Sequence, residues 1–149
     1  MTDDYAMLVQ EKLLIASFNC HGYNNGLSYI PVLLDSSDIV LLQEHWLSDS
    51  ELGKLCFDGF VNHAISGFDS SALLYGHPFG GCAILYRQSL VNSIQQVKAS
   101  SHRFCAVKID LRNCNCLLVN VYLASDYRSD DANEQLSDTL GELCCLSLQ

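Results

Sequence analysis

A chain of 149 residues holds one domain at most, and with 49% apolar residues it can bury a sizeable core, which excludes a disordered polymer. Seventeen acidic residues against eight basic ones give a formal charge of −9, which argues against a broad phosphate-binding face but leaves room for a small metal-dependent site. No apolar run reaches membrane-spanning length, and the acidic start at Asp3 and Asp4 is unlike a secretion signal.

Residues 1–11 read as a loose lead-in and 12–149 as the domain. Lys12 to Cys20 is a first strand, apolar on both faces until Asn19, and the polar cluster His21 to Gly26 breaks it. Leu27, Ile30, Leu33 and Leu34 have helical spacing, with Pro31 in the first turns where its missing N–H is tolerated. Asp38-Ile39-Val40-Leu41-Leu42-Gln43-Glu44 is then a short strand buried on both faces. This strand–helix–strand unit predicts two parallel strands.

Ser48 and Glu51 have capping-box spacing, which predicts a short helix to about Phe57. Phe60 to Ser66 is a strand, 67–79 a Gly- and Ser-rich loop, and Gly80 to Arg87 a strand opened by two glycines. Leu90 to Lys98 alternates loosely. Arg103 to Leu111 alternates cleanly, and Cys116 to Tyr122 pairs with it as a hairpin across a turn at 112–115. From Ser129 the pattern is helical, through Ala132, Leu136, Leu140 and Leu143.

The eight cysteines include no C-x-x-C pair and no histidine at zinc-finger spacing. Several lie in apolar strand patterns, where a thiol acts as a small hydrophobe. They read as reduced thiols of an intracellular protein, nuclear or cytoplasmic and not secreted.

Polar residues sit at three strand ends: Asn19, Glu44 after Gln43, and Tyr122. The segments S-F-N-C-H-G (17–22), D-I-V-L-L-Q-E-H-W-L (38–47), G-G-C-A-I-L-Y-R (80–87) and L-V-N-V-Y (118–122) occur in that order. Together they resemble the endonuclease/exonuclease/phosphatase superfamily, most of all the endonuclease domains of non-LTR retrotransposons, which are similar to apurinic/apyrimidinic endonucleases. The resemblance implies an α/β (α+β) fold, the N-terminal part of a four-layer α/β/β/α sandwich with mixed sheets.

For chemistry, the resemblance implies Mg2+ (or Mn2+)-assisted phosphodiester hydrolysis with DNA as partner. Glu44 matches the metal-ligand glutamate. Asn19 and Tyr122 match catalytic positions, the tyrosine pointing its hydroxyl at the scissile phosphate. Gln43 and His21 match supporting positions, and Arg128 lies close enough in sequence to Tyr122 to contact a nucleic-acid backbone. His45 follows Glu44 directly, so on a continued strand it would face the other way. His63, His77 and His102 have no partner at informative spacing.

The family pattern continues into G-D-x-N and S-D-H motifs, and neither occurs in these 149 residues. The expectation is therefore a domain cut short, inactive by itself. A second expectation follows, that the chain builds mainly one sheet whose uncovered inner face promotes self-association. The alternatives are a fragment of a phosphatase or phosphodiesterase acting on small phosphorylated molecules or lipids, and a non-catalytic interaction remnant.

Overall fold

A crossover between parallel strands takes a dozen residues or more, usually helical, and the segment between the first two strands supplies it. In a computed structural model, which describes residues 12–67, 79–99, 101–112, 114–123 and 130–147, β1 (Ile15–Asn19) and β2 (Ile39–Gln43) are parallel and joined through α1 (Tyr23–Gly26) and α2 (Ile30–Ser36). Pro31 sits at the start of α2, where no intrahelical N–H is required. The polar cluster after β1 is thus helical in part, as α1, and the helix expected from Leu27 begins three residues later, as α2. A 3-10 helix at Asp49–Leu55 follows β2, with the Glu51 carboxylate accepting from both the Ser48 N–H (3.2 Å) and its hydroxyl (2.9 Å).

β3 (Phe60–Ile65) and β4 (Cys82–Arg87) complete a mixed sheet in the order β1-β2-β4-β3. Arg87 ties the far end of this sheet together. Its guanidinium lies 3.2 Å from the Asp38 carboxylate, donates to Leu34 O and stacks over Phe60. β5 (Ile94–Val97), β6 (Phe104–Leu111) and β7 (Cys114–Val121) form a second, antiparallel sheet.

Alternation along the strands sorts the core into two layers. Val40, Leu42, Ala83 and Leu85 face Ile30 and Leu34 of α2 and Leu55 of the 3-10 helix. Ile39, Cys82, Ile84 and Tyr86 face the other way, against Cys105, Val107 and Ile109 of the second sheet. Burying such side chains stabilises by about 1.5–3 kcal/mol each. Outside the second sheet, Phe104 lines a groove with Ser137, Gly141 and Leu146 of α3 (Asp130–Ser147). Helix, sheet, sheet and helix follow one another, the α/β sandwich expected.

The expectation of an uncovered inner sheet face is overturned for the middle of the sheet and not for its β1 edge. The second sheet, built by this same chain, covers it over β2 and β4, where Ile39, Ile84 and Cys105 are fully buried between the two. On β1 the same face stays open at Ile15, 47% exposed, and at Ser17 and Asn19. The hairpin of β6 and β7 was legible, but alternation does not say whether a hairpin extends a sheet or folds across it. The covered part of that face gives no basis for self-association. The lead-in at 1–11 and most of the 67–79 loop lie outside the described residues. No helix among the described residues is long and apolar enough to cross a membrane.

Candidate active site

The same alternation that builds the inter-sheet core carries polar side chains to its open end. On β1, Ser17 and Asn19 share parity with Ile15; on β2, Gln43 shares parity with Ile39 and Leu41; on β7, Asn120 shares parity with Leu118, and Tyr122 follows just past the strand. All of them line one cleft of about 470 Å³, together with Glu44. Asn19 and Gln43 are paired directly across the parallel strands.

Glu44 breaks the alternation. Strict continuation of β2 would send it to the helix side, with Leu42. Instead β2 ends at Gln43 and Glu44 adopts a left-handed φ of 54°, rare for a residue with a side chain. Its main chain is pinned: Glu44 O accepts from Gly22 N–H at 2.8 Å, and Trp46 N–H, the next left-handed residue (φ 57°), donates to Gly80 O at 3.0 Å. Held this way, the Glu44 carboxylate accepts from Asn19 Nδ2 at 2.7 Å. Asn19 is itself fixed by His21 N–H, which donates to Asn19 Oδ1 at 3.0 Å. Burial first, then the Glu44 charge, pushes the neighbouring Cys20 thiol up to about 11.

His21 supports the site through its backbone. Its ring packs on Trp46, with centroids 5.0 Å apart. His45 is fully buried and does not face the cleft. Nδ1 accepts from Leu47 N–H at 3.0 Å, so Nε2 carries the hydrogen and donates to Ile65 O, also at 3.0 Å. Burial holds this imidazole below its ordinary value. Gly81 (φ 90°) lies against the ring so closely that a Cβ would overlap it. The second glycine, Gly80, brings the chain alongside the Tyr122 ring.

Beneath Glu44 lies an amide network whose core the sequence did not single out. Asn120 is 2% exposed and reaches across the sandwich. Its Nδ2 donates to Leu42 O and to Ala83 O, both at 2.8 Å, and its Oδ1 accepts from Gln43 Nε2 at 2.6 Å. Gln43 Nε2 also lies 3.1 Å from Ser17 Oγ. The signal was present: Asn120 is the polar residue between Leu118 and Tyr122 on one face of β7. Arg103, also not anticipated, places its guanidinium 6.0 Å from the Tyr122 ring centroid. Arg128 lies outside the described residues.

Asn19, Glu44, Gln43 and Tyr122 therefore converge, while the His21 ring stands off on Trp46. Among the described residues no cluster of three or more His, Cys, Asp or Glu side chains is arranged to hold a metal.

Solved structures share this architecture. The AP endonuclease LMAP from Leishmania major superposes with a TM-score of 0.57 at 15% identity, over 82% of this chain and 46% of that one. The 3' phosphatase NExo from Neisseria, bound to a product DNA hairpin, gives 0.58 at 16% identity, over 93% and 54%. The endonuclease domain of TRAS1, a telomere-specific non-LTR retrotransposon, gives 0.51 at 14% identity, over 89% and 54%. The chain spans about half the length of these structures, and at such identities the likeness is one of fold. No curated protein matches it. A profile of the Endonuclease/Exonuclease/phosphatase family matches residues 16–145, from the first strand to the last helix, and the chain belongs to that family.

Proposed function

We propose that this chain carries the metal-and-phosphate corner of a divalent-metal-dependent phosphodiester hydrolase acting on DNA, of the retrotransposon endonuclease kind. The observation that carries the reading is the 2.7 Å contact of Asn19 Nδ2 with Glu44, at a cleft shared with Tyr122. The donor chemistry fits Mg2+ (or Mn2+), which takes hard oxygen ligands and needs only one or two carboxylates beside water and substrate phosphate. Glu44 would hold the ion. Asn19 accepts from His21 N–H at its oxygen and donates one of its two amide hydrogens to Glu44, so it orients the carboxylate. A bound divalent ion supplies charge stabilisation at a phosphoryl oxygen.

Tyr122 offers an O–H donor to a phosphate oxygen on the opposite side of the cleft from Glu44's strand. Arg128, six residues further on, is the proposed backbone contact. Water activation needs a general base within hydrogen-bond reach. The two motifs that hold that base in the family pattern are missing from these 149 residues. The chain by itself is therefore proposed to bind the ion without cleaving.

Two measurements on the 149-residue chain test this. Mn2+ should raise the unfolding midpoint, by about 2.7 kcal/mol of stabilisation at a hundredfold excess over Kd, and Glu44→Ala should abolish the rise. A wild-type chain that shows no rise sinks the metal reading. Nicking of supercoiled plasmid with Mg2+ should be absent; robust nicking abolished by Glu44→Ala would overturn the inactivity.

The charge of −9 favours a second reading within the family, a small phosphorylated substrate or lipid headgroup in place of DNA. Competition by plasmid or by a soluble phosphomonoester for the cation-loaded chain separates the two. An interaction remnant working through an uncovered sheet face loses most of its support, because that face is buried over β2 and β4.

A further inference from the structure

The amide network beneath Glu44 leaves no freedom in which way its side chains point. Leu42 O and Ala83 O can only accept, and both lie 2.8 Å from one atom of the Asn120 amide, so that atom is nitrogen. The other end of Asn120 is then an oxygen, also only an acceptor. The Gln43 atom 2.6 Å from it must be nitrogen in turn. That nitrogen's second hydrogen points to Ser17 Oγ at 3.1 Å. Both donors of Gln43 are thus committed, one into the core at Asn120 and one to the exposed Ser17 hydroxyl on the cleft wall. Its Oε1 is left as the group Gln43 presents there, with only a long 3.5 Å approach from the Ser17 hydroxyl.

A cleft wall of this kind selects by polarity. Gln43 Oε1 and the Glu44 carboxylate are adjacent acceptors, one neutral and one charged. A phosphate oxygen, itself an acceptor, is rejected beside Gln43. A water molecule polarised by a cation is a strong donor and fits. We infer that Gln43 is a positioning residue for the divalent ion of the proposed site: its side-chain oxygen accepts a hydrogen bond from a water on the ion held at Glu44, and Asn120 is the lock that keeps that oxygen outward. The inference rests on the metal reading of Glu44 and adds to it the preceding residue of the same strand, held in place by Asn120 from the opposite sheet.

The test uses the 149-residue chain and Mn2+ alone. Free Mn2+ is followed by electron paramagnetic resonance in the wild type, Glu44→Gln and Gln43→Met, the last keeping side-chain length while removing the amide. Partners behind a metal's direct ligands are worth about 10–100-fold in metal affinity. Gln43→Met should therefore weaken Mn2+ binding at least about tenfold, and Glu44→Gln should abolish it. Binding lost in Glu44→Gln but unchanged in Gln43→Met overturns this inference and leaves the metal reading standing. Binding absent in the wild type, or indifferent to Glu44→Gln, overturns the metal reading itself. Should Gln43→Met fail to fold, the 15N-labelled wild type decides. The Asn120 and Gln43 side-chain NH2 pairs should both exchange slowly with solvent, and Mg2+ should shift the Gln43 pair. Fast exchange of the Asn120 pair, or a Gln43 pair unmoved at saturating Mg2+, refutes the lock.

Discussion

Gly81→Ala is the substitution that most directly tests how the Glu44 loop is held. Two penalties act at this position. The backbone is left-handed at φ 90°, and a Cβ there would overlap the His45 imidazole, whose Nδ1 and Nε2 would both lie 2.7 Å away. The ring cannot retreat easily, because it is fully buried and hydrogen-bonded at both nitrogens. Gly59 has the same hand (φ 76°) with open space around its Cβ position, so Gly59→Ala isolates the backbone penalty, about 1–2 kcal/mol. Gly53 has neither a positive φ nor a neighbour within 4 Å, so Gly53→Ala should be neutral or stabilising by about 0.4–1 kcal/mol. Overpacking adds about 1–3 kcal/mol, so Gly81→Ala should cost about 2–5 kcal/mol. Urea unfolding reads this as a drop in midpoint of about 1–2.5 M at an m-value of roughly 2 kcal/mol/M. In a His45→Ala background the excess of Gly81→Ala over Gly59→Ala should vanish, the signature of direct coupling. Equal costs for Gly81→Ala and Gly59→Ala would show that His45 yields, and that the ring does not brace the loop.

The other predictions concern the rest of the scaffold. Asn120→Ala leaves Leu42 O, Ala83 O and Gln43 Nε2 without their partner, and at about 1–3 kcal/mol for each buried group it should destabilise by at least about 3 kcal/mol in the same urea assay. His63 lies against Val97 O at 3.2 Å, and burial lowers its affinity for a proton below the ordinary 6.5. The unfolded imidazole therefore protonates first, so stability should be insensitive above about 6.5 and fall as pH drops below it; His63→Gln should reduce that slope, leaving the part that the buried His45 contributes. The Glu51 carboxyl is held down at about 2, first by Lys54 and then by Ser48, against an ordinary 4.5. Its contribution is complete above 4.5 and lost as pH falls toward 2, and Glu51→Gln should remove that part of the acid titration. Cys20, Cys82 and Cys105 are buried with raised thiol pKa values, so a thiol reagent should modify Cys56, Cys114, Cys144 and Cys145 quickly in the folded chain, the exposed Cys116, raised by desolvation and by Cys114, more slowly, and all eight only after denaturation.

Much of the fold was written in local pattern. The run Ile39 to Leu42 is apolar at every position because the strand is covered on both faces, by α2 on one side and the second sheet on the other. The spacing of Ser48 and Glu51 specified the turn after β2, since the two side chains satisfy that turn's own backbone. Parallel pairing of β1 with β2 followed from the intervening helical segment. Asn19, Gln43 and Tyr122 could be placed at strand ends by counting.

What the sequence by itself determined, then, is what depends on neighbours within a few residues: period, caps, breaks, and the order of motifs that marks the family. Three things were settled only in three dimensions. Sheet placement was one, because the β6–β7 hairpin has the same alternation whether it extends the first sheet or folds over it. The direction of Glu44 was another. Two-residue alternation assigns it to the helix side, and a left-handed φ, pinned by Gly22 and Gly80, turns it to Asn19. The third was Asn120, which lies 77 residues from Gln43 and meets it only because the two sheets close face to face. A hydrogen bond across a sandwich leaves no periodic trace in the chain, and that bond fixes the outward oxygen beside Glu44.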